Sequence, residues 1–199
     1  MKIAIVKYNA GNIYSVVNAL KRLGVDPVLT DDAEQLRTAD RVLFPGQGEA
    51  RQAMTYLQAT GLDRVICDLR QPVLGICIGQ QLMCRHSEEG DTDCLGIFPV
   101  DVKRFRPQQH EFKVPHMGWN QLEATDGFIR DAVPSGSFVY FVHSFYVPVC
   151  EFTAATCDYI LPFSAALQKD NFYATQFHPE KSGKVGEQIL RRFLEIEQD

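Results

Sequence analysis

The sequence predicts an α/β protein: a central mixed, mostly parallel sheet flanked by helices, folded as a single domain over residues 1–199. Three observations predict it. Short, wholly apolar runs alternate with helical patterns through the first half, as expected of strands buried on both faces. Gly-rich turns follow two of those runs, Pro45-Gly46-Gln47-Gly48 and Gly75-Ile76-Cys77-Ile78-Gly79. The second half changes to strand patterns joined by short links, which add antiparallel or mixed strands.

Each element has its own signal. Lys2 to Tyr8 reads as a buried first strand, and Asn9 to Asn12 as a turn that starts a helix. Ile13, Val16, Val17, Leu20 and Leu23 repeat at helical spacing, with Gly24 as the stop. Val25 to Leu29 is a second strand and Arg41 to Phe44 a third. A helix follows from about Glu49, and Leu62, Val65, Ile66 and Leu69 mark the apolar face of another. The run from Pro72 leads into the turn at Cys77, and Gln80 to Met83 begin a helix behind it. Phe98–Phe105, Phe138–Tyr146, Thr153–Cys157 and Ala165–Gln168 read as strands. Val185, Ile189, Leu190 and Phe193 form the stripe of a closing helix, and the acidic last residues are expected to fray.

Composition removes several functions. A net charge of -5 argues against a general nucleic-acid binder. No apolar run is long enough to span a bilayer, and Met1 to Val6 lacks the long core of a signal peptide. The six cysteines contain no Cys-x-x-Cys pair, so reduced thiols in a cytoplasmic chain are expected. Cys67 and Cys84 stand among apolar neighbours and are expected in the core. None of the five histidines pairs at zinc-site spacing, and no phosphate-loop motif occurs. No metal or cofactor is implied.

The chemistry is expected where strands end, because sites in open α/β sheets gather at the carboxyl ends. Pro45 to Gly48, Gly75 to Gly79 and Gln176 to Glu180 all end strands. At Cys77, a turn from strand to helix would expose the thiol in a nucleophile elbow, and the helix N-terminus favours a thiolate. His178 offers a base, and Glu180 a carboxylate to fix its tautomer. The N–H of Ile78 and the Gly46-Gln47-Gly48 turn offer donors for an oxyanion. Singly, each segment has a plain structural reading: a core cysteine, a surface His-Pro-Glu turn, a loop. Jointly, they point to acyl transfer by a Cys-His-Glu triad.

Gly75-Ile76-Cys77-Ile78-Gly79-Gln80-Gln81 together with His178-Pro179-Glu180 resembles the class I, triad-type glutamine amidotransferases, over nearly the whole chain. Tyr8 to Ser15, Pro115 to Asn120 and Tyr140 to Ser144 resemble one branch of that family, the glutaminase subunits of imidazole glycerol phosphate synthases in histidine biosynthesis. The resemblance implies Cys77 as nucleophile, His178 as base and Glu180 as orienting acid. It implies Gln81, Glu89, Ser144 and Phe145 as the glutamine site, and Gly46, Gln47 and Gly48 as the oxyanion strand. Asn12, His116, Trp119, Asn120 and Tyr140 would face the partner, a (β/α)8-barrel cyclase subunit that receives the ammonia. Other readings stand beside these: Trp119 and Tyr140 as core aromatics, Gln81 and Glu89 as a helix face and a surface turn, Asn12 as a helix cap. The chain departs from the family at Gln47 and Gln80, where small or apolar residues are usual, and at Phe145, where tyrosine is common. Two other functions fit parts of the pattern, a stand-alone cysteine hydrolase or peptidase and a non-catalytic scaffold subunit.

Overall fold

A computed structural model describes residues 1–9, 13–107 and 112–197. Its first half alternates as expected: β1 (Ile3–Val6), α1 (Tyr14–Arg22), β2 (Val28–Thr30), α2 (Ala33–Arg37), β3 (Arg41–Gly46), α3 (Ala50–Thr60), α4 (Leu62–Asp68), β4 (Val73–Cys77) and α5 (Ile78–Met83). The second half holds β5 (Cys84–Ser87), β6 (Thr92–Asp93), β7 (Phe98–Arg104), β8 (His116–Gln121), β9 (Ala124–Thr125), α6 (Gly127–Ala132), β10 (Phe138–His143), β11 (Phe145–Tyr146), β12 (Thr153–Asp158), β13 (Pro162–Lys169), β14 (Phe172–Thr175) and α7 (Gly183–Leu194).

An eight-stranded sheet, in the order β2-β1-β3-β4-β14-β13-β12-β9, forms the centre. The pairs from β2 through β14 are parallel, and β14, β13, β12 and β9 pair antiparallel. The apolar runs are explained by a core on each face. Ile3, Ile5, Leu43, Leu74 and Ile76 pack in one layer with Val16 and Leu20 of α1 and Ile189, Leu190 and Phe193 of α7. Their neighbours Ala4, Val6, Val42, Phe44 and Val73 point the other way, to Met54 and Leu57 of α3 and Leu62 and Ile66 of α4. Phe44, Phe141, Phe163, Phe177 and Phe193 are fully buried, each worth about 1.5–3 kcal/mol of transfer free energy.

Two readings need correction. Phe138–Tyr146 is not one strand: it breaks at Ser144, and β10 pairs with β8 while β11 pairs with β7. Cys67 is exposed, because α4 buries the stripe Leu62, Val65 and Ile66 and the next residue turns outward by about 100°. Cys84 is buried, as expected. Two side sheets stand beside the main one: the ribbon β10-β8 and the four strands β11-β7-β5-β6. Parallel strands β3, β4 and β14 lie side by side, so their carboxyl ends bring Gly46, Cys77 and the His178 segment to one edge.

Candidate active site

Cys77 has φ 56° and ψ −107°, a conformation that costs an L-residue of order 1–3 kcal/mol. Two glycines make the turn possible. A Cβ on Gly79 would lie 1.8 Å from the Phe44 carbonyl oxygen, and one on Gly75 would lie 2.9 Å from Met83 Sδ. Backbone therefore touches backbone where α5 leaves β4, and α5 begins directly after the cysteine. Cys77 is 8% exposed, and its sulfur lies 3.8 Å from the Val142 carbonyl oxygen.

The base sits behind it. His178 Nδ1 and Glu180 Oε1 are 2.8 Å apart, with both side chains 2% exposed. A carboxylate there fixes the proton on Nδ1 and leaves Nε2 as the base. Nε2 is buried with no close geometric partner among the described residues and faces the Cys77 thiol, which raises the ring's pKa, so it can take the thiol proton. Burial works against a charged ring, but Cys77 and Glu180 together hold the His178 pKa up to about 10. At neutral pH this favours the charged imidazolium.

Three hydrogen bonds clasp this segment. His178 N–H donates to the Tyr140 carbonyl at 2.9 Å. The Ser182 hydroxyl donates to the His178 carbonyl at 2.7 Å and accepts from Tyr140 N–H at 3.0 Å. Gly186 pins the other side, since a Cβ there would stand 1.8 Å from the Pro179 carbonyl oxygen. Neither Ser182 nor Gly186 carries a motif signal. Their roles rest on contacts that no spacing reveals.

A cavity of about 430 Å³ opens over the thiol, within the range of small-molecule sites. Its lining unites Gln47, Gly48, Cys77, Ile78, Gln81, Glu89, Tyr140, Ser144 and Phe145. Gly46, His178 and Glu180 lie behind, around a smaller void. Gly46 pairs with Cys77 across β3 and β4, and Gly48, at φ 130°, takes a backbone that favours glycine. Glu89 spans cavity and helix: its Oε2 accepts from Ala50 N–H at 2.8 Å. Burial raises its pKa, only partly opposed by that bond.

Gln81 Nε2 donates to the Phe145 carbonyl at 3.1 Å and to Gln176 Oε1 at 3.0 Å. Both amide hydrogens are thus spent, and Oε1 is left as an acceptor for a ligand. Phe145 acts through that carbonyl, which its side-chain identity leaves unchanged. Gln176 Nε2 in turn lies 3.9 Å from the Cys77 sulfur. The sequence places Gln176 beside His178 but gives no sign that it reaches the nucleophile. Gln80 is fully buried; its Nε2 donates to the Ser164 carbonyl at 3.2 Å, while its Oε1 has no partner among the described residues.

The ribbon sorts the residues expected to face a partner. Trp119 pairs with Tyr140, and their rings meet edge-on at 6.1 Å. Trp119 is 57% exposed, so it is no core aromatic, and Tyr140 is half-buried at the cavity. His116 is the correction. Strand alternation turns it inward, 3% exposed, between the rings of Phe141 and Tyr159. Asn120 shares that inner face and donates to the Asp158 carbonyl at 2.9 Å. Asn12 lies outside the described residues. Among the described residues no cluster of metal-binding side chains occurs, and no helix is long and apolar enough to cross a membrane.

The family model for class-I glutamine amidotransferases matches residues 4–196. The chain belongs to that family. An imidazole glycerol phosphate synthase subunit HisH from Bacteroides thetaiotaomicron is 68% identical over 196 residues, covering 98% of this chain and all of the relative. A protein of the same name from Idiomarina loihiensis is 48% identical over 197 residues, covering 98% of each chain. Among solved structures, a putative GMP synthase subunit from Thermoplasma acidophilum shares the fold at TM-score 0.74 and 23% identity, over 98% of this chain and 92% of the other. The elbow at Cys77, the His178–Glu180 pair and the cavity lined by Gln81 and Glu89 all lie within the matched residues.

Proposed function

We propose that this chain is the glutaminase subunit of an imidazole glycerol phosphate synthase. The supporting observation is the buried Cys77, His178 and Glu180 assembly beneath a cavity, in a chain 68% identical over its length to a relative of that name. Glutamine binds with its α-ammonium toward Glu89 and Gln81 Oε1. The Cys77 thiolate attacks the side-chain amide carbon, and the Ile78 and Gln47 N–H groups meet the oxyanion. The carbon–nitrogen bond breaks as His178 Nε2 gives its proton to the leaving nitrogen, and ammonia departs. His178 then takes a proton from water, whose oxygen attacks the thioester carbonyl. Glutamate leaves, and the proton returns to the Cys77–His178 pair.

Ammonia passes to the cyclase subunit, a (β/α)8 barrel in the same cytoplasmic complex, which makes imidazole glycerol phosphate and an aminoimidazole carboxamide ribotide. The docking surface is the outer face of the ribbon. Met117, Trp119 and Phe138 are 63%, 57% and 52% exposed, and alternation puts them together with Tyr140. Such an apolar face marks a contact surface. A peptidase reading gives this face no role.

The test is glutamine hydrolysis with and without the cyclase. The complex is expected to turn over glutamine, and the isolated chain at least about tenfold more slowly if docking completes the oxyanion turn at Gly46 to Gly48. Full-rate hydrolysis by the isolated chain overturns the dependence on the partner. A complex active on peptides and not on glutamine overturns the glutaminase assignment.

A further inference from the structure

Beneath the exposed side of the ribbon runs a chain of hydrogen bonds whose directions are fixed at both ends. At the inner end stands the Phe145 carbonyl, which can only accept. His143 Nδ1 lies 2.7 Å from it and therefore carries the hydrogen. His143 Nε2 is then an acceptor in the neutral ring, and His116 Nδ1, 2.9 Å away, must donate to it. At the outer end stands the Asp158 carbonyl, also an acceptor only. It forces Asn120 Nδ2 to face it at 2.9 Å. Asn120 Oδ1 accepts from Gln121 N–H at 2.8 Å, which sets the same orientation. Nδ2 also lies 3.3 Å from His116 Nε2, so that nitrogen accepts. The two ends agree: both imidazoles are neutral, and both carry their hydrogen on Nδ1.

The chain continues along the cavity, which His143 itself lines. The Phe145 carbonyl that His143 holds is the one that receives Gln81 Nε2. Gln81 fixes Gln176 through the Oε1 of the latter, which turns Gln176 Nε2 toward the Cys77 sulfur. We propose that His143 and His116 are positioning residues for the glutaminase: by holding the Phe145 carbonyl they set the Gln81 and Gln176 amides, and so the acceptor that meets the substrate ammonium and the donor on the thiolate. The assignment rests on the glutaminase reading.

Three features fit the role. The Phe145 carbonyl lies just past the break at Ser144, where the chain leaves the β10–β8 ribbon and Phe145 pairs with Arg104 of β7, so the His143 bond ties the two side sheets together at that corner. The His116 ring is clamped between Phe141 at 4.7 Å and Tyr159 at 4.0 Å, both near-parallel, so it cannot turn away from its partners. Burial drives the pKa values of His116 and His143 down to about 4 and about 3, which keeps both rings neutral at physiological pH. A proton added to either facing nitrogen would oppose two donors across one bond.

The experiment uses the complex of this chain with its cyclase. His143→Gln keeps much of the bulk but moves the amide nitrogen away from the Nδ1 position, whereas His143→Asn places a donor there. His143→Gln is expected to raise the glutamine KM about tenfold, the worth of one hydrogen bond, with a smaller fall in kcat, and His143→Asn to restore most of it. Equal losses in both variants, or an unchanged KM in His143→Gln, overturn the proposal. Should the variants fail to fold, ¹⁵N NMR of the unmodified complex decides. Hydrogen on Nδ1 at both His116 and His143 is expected, and an Nε2–H tautomer at either overturns the proposal. Wild-type complex that turns over no glutamine overturns the glutaminase reading, and the proposal with it.

Discussion

Gly79→Ala perturbs the nucleophile without touching any reacting group. The added Cβ would lie 1.8 Å from the Phe44 carbonyl oxygen, 3.1 Å from its carbon and 3.6 Å from Phe44 Cδ1. Ordinary contact begins near 3.4 Å, so α5 and β3 must part by about 1.6 Å. Both are backbone, and no side-chain rotation relieves the overlap. The strain is expected to cost about 1–3 kcal/mol, a fall in Tm of about 2–12 °C for a domain of this size. The kinetic effect is larger in proportion. Cys77 and Ile78 ride on the start of α5, and a misplacement of about 1 Å costs on the order of 10²-fold in rate. Glutamine-dependent turnover of the complex should fall by about that factor, while turnover on added ammonium is retained because the cyclase does that chemistry. Tm by calorimetry and the two rates by steady-state assay measure it. Wild-type Tm together with wild-type glutamine turnover would refute the close-packing argument.

Other perturbations act on the base and the docking face. Gly186→Ala puts a Cβ 1.8 Å from the Pro179 carbonyl oxygen, so it should displace the His178–Glu180 turn and lower kcat while binding to the cyclase persists; an unchanged kcat contradicts this. Glu180→Gln keeps the shape but removes the charge, and kcat should drop by about 10²–10⁴. Its pH profile should also change. The His178 pKa is raised to about 10, so the stabilising interaction of the charged ring is full below the ordinary value of about 6.5 and lost as pH rises through about 10. Without the carboxylate that alkaline limb should move to lower pH, and an unmoved limb contradicts the role of Glu180. Trp119→Ala should weaken association with the cyclase by about 2 kcal/mol, as for an interface anchor. The isolated chain should keep its Tm, because the ring is 57% exposed. Unchanged affinity in a binding titration would remove Trp119 from the interface.

The sequence carried the parallel half of the fold well, because strands buried on both faces leave continuous apolar runs and glycines mark their ends. The meeting of the Cys77 and His178 segments was legible for the same reason: each follows the end of a strand, and topology brings those ends together. The ribbon was harder. Met117, Trp119 and Phe138 break the apolar-inside pattern because they remain exposed in the single chain, so His116 to Asn120 gave no strand signal. Register then decided what composition could not, sending His116 inward and Trp119 outward. Gln176 was hidden in another way. A buried amide whose partners are a glutamine and a thiol has no spacing signature, and only the closed chain of hydrogen bonds identifies its orientation. Cys67 misled because its apolar neighbours lie along the sequence and not around the helix.

On the proposed mechanism the Cys77 sulfur forms the thioester on which ammonia release depends. The most direct measurement is the pair of rates of a Cys77→Ala complex, one with glutamine and one with added ammonium. Loss of the glutamine rate with the ammonium rate retained is the expected result. A Cys77→Ala complex that still releases glutamate from glutamine contradicts it.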